Sequence, residues 1–187
     1  MCAEIIEKHS KNLYKGGTVS NDMEIVYGNS KHRNSEICFF QDQDLYSFLN
    51  PLVNTANKNG GWNYDWDWFE PIQMTKYGLN QYYSWHKDAF QVTYGEKHAK
   101  EWRGKDRKLS VIISLNDSKD YKGGELIFDN RLYEIEEERH LSQSECKEYR
   151  KQGTVVVFPS TLYHKVNPVT EGTRHSLVIW CLGPPLR

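Results

Sequence analysis

The sequence lacks the features that define several large classes of protein. Lys and Arg total 24 and Asp and Glu total 25, so the net charge of −1 gives no long-range attraction to nucleic-acid phosphates or anionic lipid. No segment approaches the ~18 consecutive apolar residues that a membrane span needs, and residues 1–10 lack the apolar core of a signal peptide. We therefore expect a soluble cytoplasmic protein with neither nucleic-acid nor membrane partners.

Cysteine is scarce and scattered. The chain has four cysteines and no C-x-x-C pair, a pattern that favours reduced thiols over a disulfide framework or a structural zinc site. A chain of 187 residues can bury a core without such cross-links. The sequence predicts a single domain over residues 1–187, in which 1–61 is mainly helical support and 62–187 is a β-rich core.

Helical periodicity is concentrated in the first third of the chain. Apolar side chains follow helical spacing over residues 2–13 and again over 44–56, where Gly60 marks the stop. Pro51 lies inside the second pattern and predicts a kink or two abutting helices.

Strand signals follow. Aromatic residues alternate with Asn and Asp from Trp62 to Trp68, which predicts a strand whose aromatic face is a wall of the core rather than an exposed platform. Six later segments are short, rich in β-branched and aromatic residues, and bounded by Gly, Pro or Asn: 71–77, 82–88, 108–115, 124–128, 153–159 and 174–182. So many short strands predict a sandwich or barrel, with solvated loops or surface helices at 89–107 and 129–152.

A histidine and an aspartate stand one residue apart in the stretch YYSWHKDAF, residues 82–90. Alternate side chains of a strand share a face roughly 6 to 7 Å apart, so His86 and Asp88 can converge on one ion. With a second histidine they would form the facial triad that holds non-haem Fe(II) and leaves coordination positions open. The H-x-D spacing alone is weak evidence, because it arises readily by chance.

The context of the motif strengthens this interpretation. His164 closely follows the predicted strand GTVVVFP, and Arg174 comes ten residues later at the start of RHSLVIW. If these two strands pair as antiparallel neighbours, Arg174 lies beside the His164 end, on one face with Ser176, Val178 and Trp180. Its guanidinium suits a carboxylate a few ångströms from the metal, although a surface ion pair is the alternative role.

Three blocks of this sequence resemble the iron and 2-oxoglutarate dependent dioxygenases of the prolyl 4-hydroxylase-like branch. They are QMTKYGLNQYYSWHKD, RKLSVIISLNDSKDYKGGELIF and GTVVVFPSTLYHKVNPVTEGTRHSLVIWCLGP, within residues 72–185. The resemblance implies an α+β, mainly β fold: a double-stranded β-helix, or cupin-like jelly-roll, with the N-terminal helices packed on one sheet. Many members of this branch use lysine at the position of Arg174.

The resemblance also implies roles for particular residues. His86, Asp88 and His164 would be the iron ligands, and Arg174 would grip the far carboxylate of 2-oxoglutarate. Further residues expected near the cosubstrate are Tyr77, Tyr83, Ser110, Ser176 and Trp180. For the two tyrosines and Trp180, ordinary packing inside the barrel is the alternative.

The implied activity is hydroxylation of an unactivated C–H bond with Fe(II), O2 and 2-oxoglutarate, and with ascorbate as a candidate reductant. Aromatic residues around the H-x-D motif would keep water from the site. The first choice of substrate is a proline-containing protein or peptide, over which residues 89–107, with Trp102, Arg103 and Arg107, would close. The alternatives are a free amino acid or other small molecule, a non-catalytic iron or 2-oxoglutarate binding module, and a cupin-like metal protein.

Overall fold

The structure is a computed structural model that describes residues 1–19, 25–27, 31–129 and 143–185, without the side chains of 17–19 and 25–27. Much of the polar stretch predicted as a loop or surface helix over 129–152 lies outside these residues.

The helices are α1 (Cys2–His9), α2 (Gln43–Asn59) and two short 3-10 helices, Ser10–Asn12 and Lys147–Arg150. The strands in chain order are β1 (Tyr14–Lys15), β2 (Gly17–Val19), β3 (Ile25–Tyr27), β4 (Arg33–Asn34), β5 (Glu36–Phe40), β6 (Trp68–Phe69), β7 (Ile72–Tyr77), β8 (Tyr82–His86), β9 (Asp106–Ser114), β10 (Tyr121–Gly123), β11 (Leu126–Asp129), β12 (Gln143–Glu145), β13 (Val155–Pro159), β14 (Tyr163–Val166), β15 (Val169–Gly172) and β16 (Arg174–Gly183).

These strands form two main antiparallel sheets. The larger sheet has the order β1-β5-β7-β16-β9-β13, with β6 pairing with β16, and the smaller has the order β12-β11-β14-β8-β4. From β7 onward the main strands alternate between the two sheets: β7, β9, β13 and β16 lie in the larger, and β8, β11 and β14 in the smaller. This alternation is the double-stranded β-helix, so the predicted fold class is confirmed.

The central strands β9 and β16 of the larger sheet are buried along almost their whole length. Leu45, Leu49 and Val53 of α2 are buried against apolar residues of β7, β9 and β16. Burial on both faces of these strands explains why β9 and β16 read as nearly continuous buried runs rather than as alternating strands. The predicted packing of a helix on one sheet is therefore confirmed.

The prediction of two abutting helices around Pro51 is wrong, because α2 runs unbroken from Gln43 to Asn59. Asp42 caps its start, where the carboxylate accepts from the Leu45 amide at 3.0 Å. The row of buried side chains that docks α2 on the sheet outweighs the hydrogen bond that the proline removes.

The predicted strand from Trp62 to Trp68 is also wrong, since only Trp68–Phe69 is extended in a sheet. Asn57 holds the preceding segment against α2: its amide donates to the Tyr64 carbonyl at 2.9 Å and accepts from the Tyr64 amide at 3.0 Å. Asn63 has φ +50°, which a strand cannot contain. The aromatic side chains nevertheless pack against the core, as the alternation indicated.

Three further features differ from what the sequence predicts. The predicted pairing of β13 with β16 is wrong, because β9 lies between them and pairs with both. The mainly helical first third also contains β5, which pairs with β7 in the larger sheet. The segment between His164 and Arg174, for which no strand is predicted beyond 153–159, contains β15, which pairs with β10.

Candidate active site

The three predicted metal ligands converge on one point. His86 ends β8, Asp88 follows it closely, and His164 lies on β14 directly opposite His86 in the register. One ligand atom from each residue lies within 4.8 Å of the others. The Nε2 atoms of His86 and His164 lie 3.8 and 3.7 Å from the Asp88 carboxylate oxygens. Three donors at these spacings can surround a single ion.

Hydrogen bonds orient both imidazoles. His86 Nδ1 lies 2.8 Å from the Ser84 carbonyl oxygen, and His164 Nδ1 lies 3.0 Å from that of Leu162. Because a carbonyl oxygen only accepts, each Nδ1 carries the proton and each Nε2 presents a lone pair to the common point. Tyr83 stacks on the His86 ring with the centroids 3.5 Å apart, which fixes the plane of that ring.

Asp88 is held by its side chain and by its backbone. The Ser110 hydroxyl donates to Asp88 Oδ2 over 2.7 Å and lies 2.9 Å from the Ser160 hydroxyl. The Asp88 amide donates to the Ser160 carbonyl over 2.9 Å, and Arg107 Nη1 donates to the Asp88 carbonyl over 3.3 Å. Bonds of this kind behind a ligand set its orientation.

The protonation states of these groups suit a metal site. Burial, reinforced by His164, lowers the pKa of His86 to about 3. Burial alone would raise the pKa of Asp88, but His164, His86 and Arg107 lower it overall. At neutral pH the site therefore holds a neutral imidazole at His86 and an ionised carboxylate, which are the forms that bind metals. Two imidazoles and one carboxylate with open positions fit non-haem Fe(II).

Arg174 brings a buried positive charge to the same place. The residue is 1% exposed at the start of β16. Among the described residues no carboxylate forms an ion pair with Arg174, and its Nε has no hydrogen-bond partner. Burying a cation without a counter-ion is costly, so a buried guanidinium at this place is suited to bind an anionic ligand.

One cavity of about 800 Å³ joins the metal ligands to Arg174. Its wall includes all three predicted ligands and, on β16, Arg174, Ser176, Val178 and Trp180. The expectation that these four β16 residues share one face is thus confirmed. The cavity extends outward to the exposed rings of Tyr14 and Phe39.

The other predicted site residues have distinct positions. Tyr77, Tyr83, Ser176 and Trp180 line the cavity. Ser110 instead bonds to Asp88, and Ser176 accepts from Arg174 Nη1 over 3.3 Å. Contacts between any of these residues and a cosubstrate stay predictions.

A buried polar cluster that is not predicted from the sequence ties residues 89–105 to the barrel. Arg107 makes paired bonds of 2.6 and 2.7 Å to the Glu70 carboxylate, which also accepts from the Tyr94 hydroxyl over 2.8 Å. Arg107 lies on β9, not in a loop, and packs 3.7 Å from the centre of the Trp180 ring. The sequence gives one indication of the ion pair between Glu70 and Arg107: a charged residue lies close to the start of each of the strands β7 and β9.

The remaining basic residue predicted to face a substrate, Arg103, has a different partner. It forms an exposed ion pair of 2.8 Å with Glu96 in the same segment. Trp102 does line the cavity, and its ring centre lies 5.4 Å from that of Tyr94.

Within the described residues, no helix combines the length and apolar character needed to cross a membrane, and the cytoplasmic location stays a prediction.

The double-stranded β-helix and the triad define a mononuclear metal site of the non-haem iron type. Comparison with known families is consistent with this class: the model of the 2OG-Fe(II) oxygenase superfamily matches residues 72–182, more than half of the chain. The protein belongs to the 2OG-Fe(II) oxygenase superfamily. The family implies Fe(II), 2-oxoglutarate and O2, and His86, Asp88 and His164 could form the iron site.

Curated relatives are similar over the same core. The chain is 33% identical over 110 residues to a PKHD-type hydroxylase of Psychrobacter sp., a match that covers 59% of this chain and 37% of the relative. It is 30% identical over 109 residues to a PKHD-type hydroxylase of Picosynechococcus sp., covering 58% and 40%. The chain thus spans about two fifths of the length of these relatives.

Solved structures share the fold at low sequence identity. A viral collagen prolyl hydroxylase of Paramecium Bursaria Chlorella virus-1 has a TM-score of 0.61 and 18% identity, covering 97% of this chain and 89% of its own. A prolyl hydroxylase of Trichoplax adhaerens, solved with a hypoxia inducible factor peptide fragment, has a TM-score of 0.65 and 15% identity, covering 96% and 76%. The recognised resemblance to the prolyl 4-hydroxylase-like branch is confirmed.

Proposed function

We propose that this protein is an Fe(II)- and 2-oxoglutarate-dependent hydroxylase whose substrate is a prolyl residue of a protein or peptide. The observation that carries the proposal is the shared cavity: an open triad of metal ligands and a buried guanidinium, which forms no ion pair with any described residue, face the same space. That pairing matches an anionic chelator which reaches from the metal to the cation.

Different residues would bind the metal ion and the cosubstrate in this reaction. When bound, Fe(II) would supply the O2 activation that couples conversion of 2-oxoglutarate to succinate and CO2 with hydroxylation of a C–H bond. His86, Asp88 and His164 would hold the ion, and Arg174 would bind the distal carboxylate. The carbonyls of Ser84 and Leu162 keep both imidazoles in the ligating tautomer.

The shape of the cavity favours a polypeptide substrate. Its inner part is lined by the aromatic and aliphatic residues of the barrel, which exclude water from the reacting atoms. Its outer part reaches Tyr14 and Phe39, whose side chains are 41% and 45% exposed. A peptide can insert one side chain while its backbone lies across this aromatic rim. The peptide bound to the Trichoplax protein is consistent with this mode.

Two alternatives make different predictions. A hydroxylase of a free amino acid would turn over a small molecule and ignore peptides. A binding module would hold iron and 2-oxoglutarate and release no succinate. A third alternative is a cupin-like metal protein. Arg174 is charged and has no counter-ion among the described residues, and this favours an enzyme that binds an anionic cosubstrate over such a protein.

The test uses purified protein with Fe(II), 2-oxoglutarate and ascorbate in air. Wild type should release succinate slowly without substrate and faster with a proline-containing peptide that gains the mass of one oxygen atom at proline. The variant His164→Ala should release none, whereas Lys165→Ala, which changes the adjacent residue on β14, should behave as wild type. Succinate release without any oxidised proline would reject the substrate, and no release from wild type would reject the reaction.

A further inference from the structure

Arg174 is held by a residue that lies outside the cavity. Its Nη2 donates to the Tyr149 hydroxyl over 2.9 Å. Tyr149 is 1% exposed and is not among the residues that line the cavity. The tyrosine therefore contacts the guanidinium on the side away from the space where a ligand would sit.

The surroundings leave the Arg174 side chain little freedom. The guanidinium carbon lies 5.1 Å from the centre of the Tyr77 ring and 5.0 Å from that of Tyr149. Gly124 has φ +64°, and a Cβ at this position would lie 2.9 Å from Arg174 Cδ. The aliphatic part of the Arg174 side chain therefore passes so close to residue 124 that only a glycine fits there.

Tyr149 is itself fixed in place by the fold. It belongs to the 3-10 helix Lys147–Arg150, whose preceding residue Cys146 donates its amide to the Leu126 carbonyl of β11 over 3.0 Å. Just beyond the helix, Gln152 donates to the Leu115 carbonyl over 2.8 Å. Burial raises the pKa of the Tyr149 hydroxyl to about 12, so this group stays neutral and can accept from a guanidinium.

We propose that Tyr149 is a positioning residue for the cosubstrate. By binding Nη2 it orients the Arg174 guanidinium so that the unpartnered Nε faces the distal carboxylate of 2-oxoglutarate. This inference rests on the function proposed above, because it assigns a role in binding that cosubstrate. Paired hydrogen bonds to a carboxylate require the guanidinium plane to be correctly placed. Tyr149 acts only through Arg174 and touches no reacting atom.

Binding measurements test the role directly. Protein loaded with Mn(II) is titrated with 2-oxoglutarate by calorimetry in the absence of O2. Tyr149→Phe should weaken binding about tenfold, the usual effect of losing a hydrogen bond to a charged group. 2-Oxobutyrate chelates through the same keto acid but lacks the distal carboxylate, so its affinity should be equal in the two proteins. Tyr46→Phe also removes a hydroxyl hydrogen bond, to the Glu70 carbonyl at 3.1 Å, and should leave both affinities unchanged.

A double-mutant cycle separates positioning from general stability. In the background of Arg174→Lys, adding Tyr149→Phe should cause no further loss of 2-oxoglutarate affinity, because the Nη2 partner is already gone. A purely structural tyrosine would instead lower the melting temperature and weaken both keto acids alike. Either equal weakening of the two acids or an unchanged 2-oxoglutarate affinity in Tyr149→Phe would overturn the inference while leaving the proposed function intact. If wild type with Mn(II) bound no 2-oxoglutarate, both proposals would fall together.

Discussion

The two sheets contribute different halves of the site, and different forces keep those halves in order. The larger sheet carries Arg174 within strands that are almost entirely buried beneath α2. The smaller sheet carries both histidines, and its strand β8 is only partly buried at every position. Packing therefore fixes the strand that carries Arg174, whereas individual hydrogen bonds orient the metal ligands and the Arg174 guanidinium. This contrast predicts which substitutions act on folding and which act on ligands.

The largest effect is expected where α2 covers the larger sheet. Leu49 is fully buried in the core, whereas Leu52 on the same helix is 40% exposed. Leu49→Ala should lower the free energy of unfolding by about 3 kcal/mol, because it leaves a cavity that the sheet cannot fill. Leu52→Ala should change it by less than about 0.5 kcal/mol. Denaturant unfolding measures the free energy of unfolding of both variants. Equal decreases in the two variants would show that the helix does not anchor the fold.

The next effect isolates the anion-binding half. Arg174→Ala should lower the affinity for 2-oxoglutarate about 100-fold, because it removes the charge that faces the cavity. Binding of Mn(II) should be unchanged, since the triad lies in the other sheet. Arg103→Ala removes an arginine already paired with Glu96 at the surface and should affect neither ligand. Loss of metal binding in Arg174→Ala would contradict the separation of the two halves.

The stability of the protein should decrease in acid because each half of the site contains a partly buried histidine. Burial lowers the pKa of His86 to about 3 and that of His175 on β16 to about 4. Both are neutral in the folded protein but gain a proton near pH 6.5 when unfolded, so unfolding takes up protons below that pH. The stability of the metal-free protein should be complete above pH 6.5 and fall as the pH drops toward 4, by roughly 1.4 kcal/mol per pH unit for each proton.

Variants separate the two contributions to this pH dependence. His175→Asn should remove about one proton from the uptake near pH 5, as measured by the slope of unfolding free energy against pH. His86→Asn should do the same in the metal-free protein. A slope that neither variant reduces would mean that these histidines titrate alike in the folded and unfolded chain.

The metal half could be predicted from the sequence because its signals are local. His86 and Asp88 are two residues apart in a predicted strand, and His164 follows the predicted strand 153–159, so periodicity and family resemblance suffice to group them. The strand segments themselves were visible as β-branched runs. Strand β15 was missed because its residues, VTEG, are mostly polar and exposed.

What escaped prediction depends on contacts between distant parts of the chain. The insertion of β9 between β13 and β16 follows from topology, to which hairpin proximity is a poor guide. The aromatic alternation at Trp62 looks like a strand, yet the hydrogen bonds of Asn57 fold it onto α2. Nothing in the stretch ECKEYRKQG distinguishes Tyr149 from a surface residue, and only the fold brings its hydroxyl to Arg174.

The smallest expected effect concerns a side chain of the larger sheet that supports the metal half. Ser110 is fully buried on β9, and its hydroxyl donates to Asp88 across 2.7 Å. Ser110→Ala should weaken Mn(II) binding about tenfold, as is usual when the partner of a metal ligand is lost, whereas Ser118→Ala removes only an exposed hydroxyl and should not. Calorimetric titration compares the two. Unchanged affinity in Ser110→Ala would mean that the backbone hydrogen bonds of Asp88, from its amide to the Ser160 carbonyl and from Arg107 to its own carbonyl, are sufficient to orient this ligand.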